Sequence, residues 1–177
     1  MKEIYKNLLI GNDIDCDNFY LNSEFSIIHA CKTCHQKALK YSKSLPNTHP
    51  NYLIYEKGSH LYLNMVDMPN ELLPKYTNPI FKHAINFINR EIQSRKILIH
   101  CNQGHSRSPS LGMIYLAIND IITRKYYAEA KIEFEKLYPE FAPGTGIMLY
   151  MQHNWNYLVN ELFEANQWNT TIQSKNS

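Results

Sequence analysis

Near the middle of the chain an apolar run, Ile97-Leu98-Ile99, passes directly into His100-Cys101-Asn102-Gln103-Gly104-His105-Ser106-Arg107-Ser108, and then into Pro109 and a second apolar segment of helical spacing. Consecutive apolar side chains without alternation need cover on both faces, as in a central strand of a mostly parallel sheet. A strand that ends in a glycine-bearing polar loop and continues as a helix predicts an α/β layered domain. In such folds ligand sites gather at the carboxyl ends of strands, where helices begin.

The rest of the chain agrees with that layering. Period-two and short apolar runs predict strands at Asn7 to Ile10, Phe25 to Ala30, Tyr52 to Tyr55, Leu61 to Val66 and Ile97 to His100. Glu56-Lys57-Gly58-Ser59 fits a hairpin turn, with Gly58 supplying a positive φ. Asn78 followed by Pro79 reads as a helix start, with Phe81, Ala84, Ile85, Ile88 and Ile92 on its apolar stripe. Further helices are expected at Leu111 to Ile118, Ala128 to Leu137 and Ile147 to Phe163. Tyr41 to Asn51, with two prolines, reads as an exposed loop, and Asp13, Asp15 and Asp17 as a solvated acidic loop. The expectation is one domain over residues 1–168, with residues 169–177 as a flexible tail.

Composition narrows the function. Eighteen Lys+Arg against 16 Asp+Glu leave a net charge of +2, too little for a partner held by bulk positive charge, so no nucleic acid is expected. Four cysteines are too few for a secreted disulfide scaffold. Charged residues crowd the N-terminus, where a secretory leader would be apolar, and Leu111 to Ile118 falls short of the roughly 20 residues a membrane span needs. A cytoplasmic, reducing setting is expected, and the oligomeric state is left open, with a monomer as the default.

The loop after Ile99 carries the chemistry. A cysteine just before a helix N-terminus faces inward-pointing amides and the positive end of the helix dipole, which favour thiolate over thiol. Arg107, six residues on, offers a planar fork that can hold two oxygens of a tetrahedral anion. Gly104 permits a sharp turn, so successive amides from Asn102 to Arg107, through Gln103, His105 and Ser106, can line an anion nest.

His-Cys, five residues, Arg-Ser resembles the signature of the cysteine-based protein tyrosine phosphatases, and Gly104-His105-Ser106-Arg107-Ser108-Pro109 resembles their dual-specificity branch. Leu8 to Asn12 looks like the family's opening strand and turn, and Pro143-Gly144-Thr145-Gly146-Ile147 with Gln152 like the segment before its last helix, so the resemblance covers about residues 3–165. It implies a central, mostly parallel sheet flanked by helices. It implies Cys101 as nucleophile forming a phosphocysteine, Arg107 as the phosphate and transition-state ligand, and residues 102–107 as the phosphate-binding loop. Ser108 would donate to the departing thiolate, unless it only caps the helix, and His100 would set the loop and help lower the thiol pKa. The family's general acid and base is an aspartate on a loop roughly 30 residues before the cysteine. Of Asp13, Asp15, Asp17, Asp67 and Asp120, it is Asp67, before Met68-Pro69, that stands at the matching place.

Two residues depart from the family's pattern. His105 stands where many members have a small or apolar residue, and either adds a pH-dependent charge to the pocket rim or is a surface residue without consequence. His29 stands where the first core strand often has Asn. The segment Cys31-Lys32-Thr33-Cys34-His35 matches a haem-attachment pattern, but the remaining sequence fits another fold, and zinc is disfavoured because no second cysteine pair supplies the other ligands. In some family members a cysteine after this strand pairs reversibly with the nucleophile. That resemblance makes Cys31, and after it Cys34, a possible redox partner of Cys101, against the alternative of small core cysteines. Asn169-Thr170-Thr171 matches a glycosylation acceptor.

The function expected from the resemblance is hydrolysis of phosphate monoesters on phosphorylated protein, at phosphotyrosine and at phosphoserine or phosphothreonine, without metal or other cofactor. The chain is too short for the phosphotyrosine-specific catalytic domain and shows no counterpart of its tyrosine-clamping loop. RNA 5′-triphosphatase relatives continue the signature with Asn-Arg-Thr-Gly, unlike Ser106-Arg107-Ser108-Pro109 here. Lipid phosphatases usually place lysines in the loop, which His105 echoes only in part, so a phosphoinositide is the runner-up. A phosphate-binding pseudophosphatase is the remaining alternative, although the Cys, Arg and Asp it usually loses are all present.

Overall fold

A computed structural model describes residues 1–162 of the chain. Six strands form one sheet: β1 (Lys2–Tyr5), β2 (Leu8–Gly11), β3 (Phe25–His29), β4 (Ile54–Lys57), β5 (His60–Leu63) and β6 (Lys96–His100). Their spatial order is β1-β2-β6-β3-β5-β4, with β2, β6, β3 and β5 mutually parallel and the edge strands β1 and β4 antiparallel to their neighbours. The expected α/β sheet is therefore present, and β6, the strand that enters the loop, lies at its centre. Six helices surround it: α1 (Asp13–Phe19), α2 (Lys32–Leu39), α3 (Pro74–Glu91), α4 (Arg107–Ile118), α5 (Tyr127–Leu137) and α6 (Thr145–Asn156), the last running into a π turn over Tyr157–Glu161.

The register across the parallel strands sorts side chains between two cores. Ile10, Ile99, Ile28 and Leu61 are cross-strand neighbours in one row and join the larger core, which α3, α4, α5 and α6 cover. The neighbouring row, Leu9, Leu98 and Ile27, faces the other way and meets Cys16 and Phe19 of α1 in a small second cluster. Helix α4 is buried from Ser108 to Ile118, as a helix that is apolar all round must be. Close packing over β2 is permitted by Gly112, where a Cβ would stand 3.0 Å from Ile10 Cδ1.

Several elements differ from the sequence reading. The acidic segment is not a loop but α1, started by a capping box in which Asn12 Oδ1 accepts from the Asp15 amide at 3.1 Å and Asp15 Oδ2 accepts from the Asn12 amide at 3.0 Å. Only Cys16 of this helix is buried, so it has almost no apolar stripe to read. Helix α2 likewise buries one residue, His35, and strand β1 only Ile4. Helix α3 begins at Pro74, not at Pro79, because Pro74 takes the first-turn position that needs no amide donor. Pro79 thus lies inside the helix, and Asn78, instead of capping, accepts a hydrogen bond from Tyr150 Oη at 2.5 Å. The hairpin is as expected, with Gly58 at φ +61°, but β4 starts later and β5 ends earlier than the runs suggested. Phe163, the expected tail and the Asn169 acceptor lie outside the described residues.

At the carboxyl ends of the parallel strands, Gly11, His100, His29 and Tyr62 are successive register partners. The histidines form a buried chain: His60 Nδ1 is 3.0 Å from His29 Nε2, His29 Nδ1 is 2.7 Å from His100 Nε2, and His100 Nδ1 faces Asp13 Oδ1 at 3.4 Å. The order in which no two donors and no two acceptors face one another along the chain, with the carboxylate at its end, puts the proton of each neutral imidazole on Nδ1 and leaves Nε2 to accept. The His29 ring stacks on Tyr62 at 4.3 Å, and Tyr62 Oη bonds Tyr20 Oη at 2.8 Å. Burial, with the neighbouring histidines adding to it, pushes His29 down to about 2. Burial also pushes His100 down to about 4, against the opposing pull of Asp13.

Phe81, fully buried in α3 against Tyr150, is expected to cost about 3–5 kcal/mol when replaced by Ala, read as a lower urea midpoint. His29 and His100 stay neutral in the fold while the unfolded chain takes up their protons near the ordinary value of 6.5. The unfolded state therefore binds more protons below that pH. Stability should fall as pH drops from about 6.5 toward 4, by up to about 2.7 kcal/mol per unit from the two together, and urea unfolding at a series of pH values measures the slope.

Candidate active site

Residues 101–106 form the turn between β6 and α4, and four of their carbonyls are tied to partners around them. The Asp13 amide donates to Asn102 O at 3.3 Å, Tyr138 Oη to Gly104 O at 3.0 Å, the Ala142 amide to His105 O at 2.9 Å and Ser110 Oγ to Ser106 O at 2.8 Å. With those four carbonyls engaged, the amides from Asn102 to Ser106 are free of protein partners among the described residues. That is the electrostatic make-up of an anion nest. Gly104 sits at φ +80°, and a Cβ there would stand 3.0 Å from Gly11 O, so the turn requires glycine.

Cys101 is buried at 2% exposure at the amino end of α4, the helix terminus that stabilises negative charge. Ser108 Oγ donates to its Sγ at 3.2 Å and also lies 3.4 Å from Gly11 O. The serine hydroxyl therefore points at the sulfur, where a donor to thiolate has to stand. Arg107 is held on three sides. Its Nη2 donates to Asn102 Oδ1 at 2.7 Å and its Nη1 to Met65 O at 3.3 Å, while Nε lies 3.5 Å from Asp67 Oδ2, an ion-pair separation without a hydrogen bond. Asn102 is braced in turn, its Nδ2 donating to Asp13 Oδ2 at 3.1 Å.

Asp67 reaches the loop from the segment after β5. Its Oδ1 accepts from Ser106 Oγ at 3.0 Å, and Ser106 Oγ itself accepts from the Gly144 amide at 2.9 Å. One hydroxyl thus joins the phosphatase-like loop, the aspartate segment and the turn before α6. The Gly146 amide also donates to Met68 O at 2.9 Å, and a Cβ on Gly146 would overlap the carbonyl oxygens of Met68 and Asn70. The bridging by Ser106, the bracing by Asn102 and Asp13, and the Tyr138 clamp were not assigned from sequence; only their polar character and the place of two of them in the loop were visible.

The remaining sequence candidates fall around this centre. His100 lies beneath the loop as a neutral link in the histidine chain, so at neutral pH it acts through position and hydrogen bonding, not through charge. Gln103 and His105 are exposed on the rim, where His105 Nδ1 stands 3.2 Å from Glu140 O. Cys31 is fully buried at the N-cap of α2 beside Cys34 and His100, and all four cysteines are free thiols. Hydrogen bonds from the Cys34 thiol and amide hold the Cys31 thiol below its ordinary pKa, while the same thiol pairing and burial push Cys34 up. Burial drives Cys16 up to about 12.

No protein-family model matches the chain. The dual specificity protein phosphatase YVH1 of Plasmodium falciparum is 36% identical over 104 residues, which make up 58% of this chain and 16% of that protein. The chain therefore corresponds to a small part of that relative. The crystal structure of DUSP15 superposes with a TM-score of 0.60 at 21% identity, covering 93% of this chain and 95% of that one. The Yvh1 phosphatase domain from Chaetomium thermophilum does so with a TM-score of 0.58 at 15% identity, covering 86% and 92%. The chain thus shares sequence with a dual specificity protein phosphatase over a little more than half of its length, and it has the fold of the two phosphatase structures.

Proposed function

We propose that this chain is a phosphatase that hydrolyses phosphate monoesters through a phosphocysteine, acting on phosphotyrosine and on phosphoserine or phosphothreonine of protein substrates. The observation that carries the proposal is the convergence on one loop of a buried thiol at a helix N-terminus, a serine donor aimed at its sulfur, a braced guanidinium and a carboxyl group. In the first step Cys101 Sγ attacks phosphorus and the ester P–O bond breaks. Asp67, protonated, gives its proton to the leaving oxygen, while Arg107 and the loop amides hold the three equatorial oxygens. In the second step Asp67 carboxylate takes a proton from water, water oxygen bonds to phosphorus, and the S–P bond breaks. Ser108 Oγ–H then donates to the departing thiolate, and His100 keeps the loop in place from beneath. Residues 1–168 serve as the catalytic domain. A thiol nucleophile of this kind suits a reducing, cytoplasm-like compartment.

A loop with no lysine in it favours protein substrates over phosphoinositides. Kinetics on phosphopeptides and on phosphoinositides compare the two; a higher kcat/KM on phosphoinositides would replace the protein reading. Turnover of p-nitrophenyl phosphate is expected to vanish in Cys101→Ser and to fall about 10²- to 10³-fold in Asp67→Asn, with vanadate inhibiting the wild type. Full activity of folded Cys101→Ser would defeat the proposal. Gly146→Ala, which must displace Met68 and Asn70 and with them Asp67, is expected to lower kcat about tenfold or more with little change in vanadate affinity.

A further inference from the structure

Directly behind the loop, two thiols and an imidazole meet on residues that the hydrolytic reaction does not consume. Cys31 is the N-cap of α2, Cys34 lies in the first turn of that helix, and His100 is the last residue of β6. The strand ends are locked together by the Ala30 amide, which donates to His100 O at 2.8 Å. One ligand atom from each of Cys31, Cys34 and His100 lies within 4.8 Å of the other two, and Cys34 Sγ is 3.9 Å from His100 Nε2. A tetrahedral ion with Zn–S of about 2.3 Å and Zn–N of about 2.1 Å sets its ligand atoms roughly 3.6 to 3.8 Å apart. The group is thus within about an ångström of metal-binding geometry.

We propose that Cys31, Cys34 and His100 form a binding site for a soft d10 cation, zinc foremost, separate from the thiol at position 101. The cysteine pair lacks a second pair in sequence, but the fold supplies the third ligand from 66 residues further along the chain. Two thiolates and an imidazole select zinc or copper(I) over magnesium and calcium. Cys31 and His100 are buried, whereas Cys34 is only partly so, which makes its side the one from which an ion would enter and water would complete the tetrahedron. An outer partner is already placed: His100 Nδ1 faces Asp13 Oδ1 at 3.4 Å, and both atoms are buried without any hydrogen-bond partner. A carboxylate behind a metal-binding histidine is the usual second support of such sites. On binding, both thiols release their protons to solvent, and His100 Nε2 exchanges the hydrogen bond from His29 Nδ1 for the metal. His29 Nδ1 then has Cys16 Sγ, 3.6 Å away, as its acceptor. Cys16, His29 and His100 form a second close trio, but it brings one thiol, not two, and shares His100 with the first.

The test uses the full chain, reduced, treated with chelator and kept free of oxygen, and titrated with Co²⁺. One equivalent is expected to produce thiolate-to-cobalt charge-transfer absorption and the visible bands of a tetrahedral ion, and Zn²⁺ should bleach both. Cys34→Ser, a mild change at a partly exposed position, is expected to remove the charge-transfer band and weaken Zn²⁺ binding by well over tenfold, with an unchanged far-ultraviolet dichroism spectrum. Asp13→Asn should keep the band and weaken binding by about tenfold. Cys101→Ser and Cys16→Ser should both retain the band. The site is overturned if the wild type gives no thiolate–cobalt band, if the band survives in Cys34→Ser, or if folded Cys101→Ser or Cys16→Ser loses it.

Discussion

Parallel pairing of β6 with β2 on one side and β3 on the other is the constraint on which the site depends. It ends three strands at the same level, so that Gly11, His100 and His29 lie side by side and the chain leaves the sheet into Cys101 at a fixed point. Every later contact uses that point. Gly11 O receives Ser108 and sits close against Gly104, while the buried α4 can begin only where the loop has turned fully back over the sheet. An edge strand could not hold its exit this firmly, since its register would be set by one neighbour only.

Ser106 performs the complementary task at the outer edge. Residues separated by nearly forty positions in either direction, Asp67 and Gly144, meet on its hydroxyl. A side chain that both donates and accepts suits this place, because it gives a proton to the carboxylate and takes one from the amide. Alanine there would leave the amide and the carboxylate each short of a partner. The acid-bearing segment is thereby made part of the loop's own hydrogen-bond network.

The legible portion of the chain was the part where packing imposes a pattern. Ile97-Leu98-Ile99, the Phe25 run and the stripe of α3 announced themselves because each buries a whole face. The Cys101 to Ser108 segment was readable because its chemistry demands fixed residues at fixed spacing. Strand β1, α1 and α2 each bury a single side chain, so their sequences carry no period, and α1 is specified by capping between Asn12 and Asp15 instead. The roles of Asn102 and Asp13 were invisible for another reason. Each depends on a partner 89 residues away in the chain, which only the sheet order brings near.

The unequal division of the two cores has a mechanical consequence. The face under α3 to α6 is held by most of the buried apolar side chains, whereas the face under α1 rests on Cys16, Phe19 and a few sheet residues. A seven-residue helix with so little buried surface belongs to the low-stability end of a fold, where local opening costs less than global unfolding. Asp13, which braces Asn102 and through it Arg107, sits in the first turn of that helix. The guanidinium is thereby anchored at its far end to a lightly tethered helix, whereas its other support, the Met65 carbonyl, comes from the segment that follows a central strand.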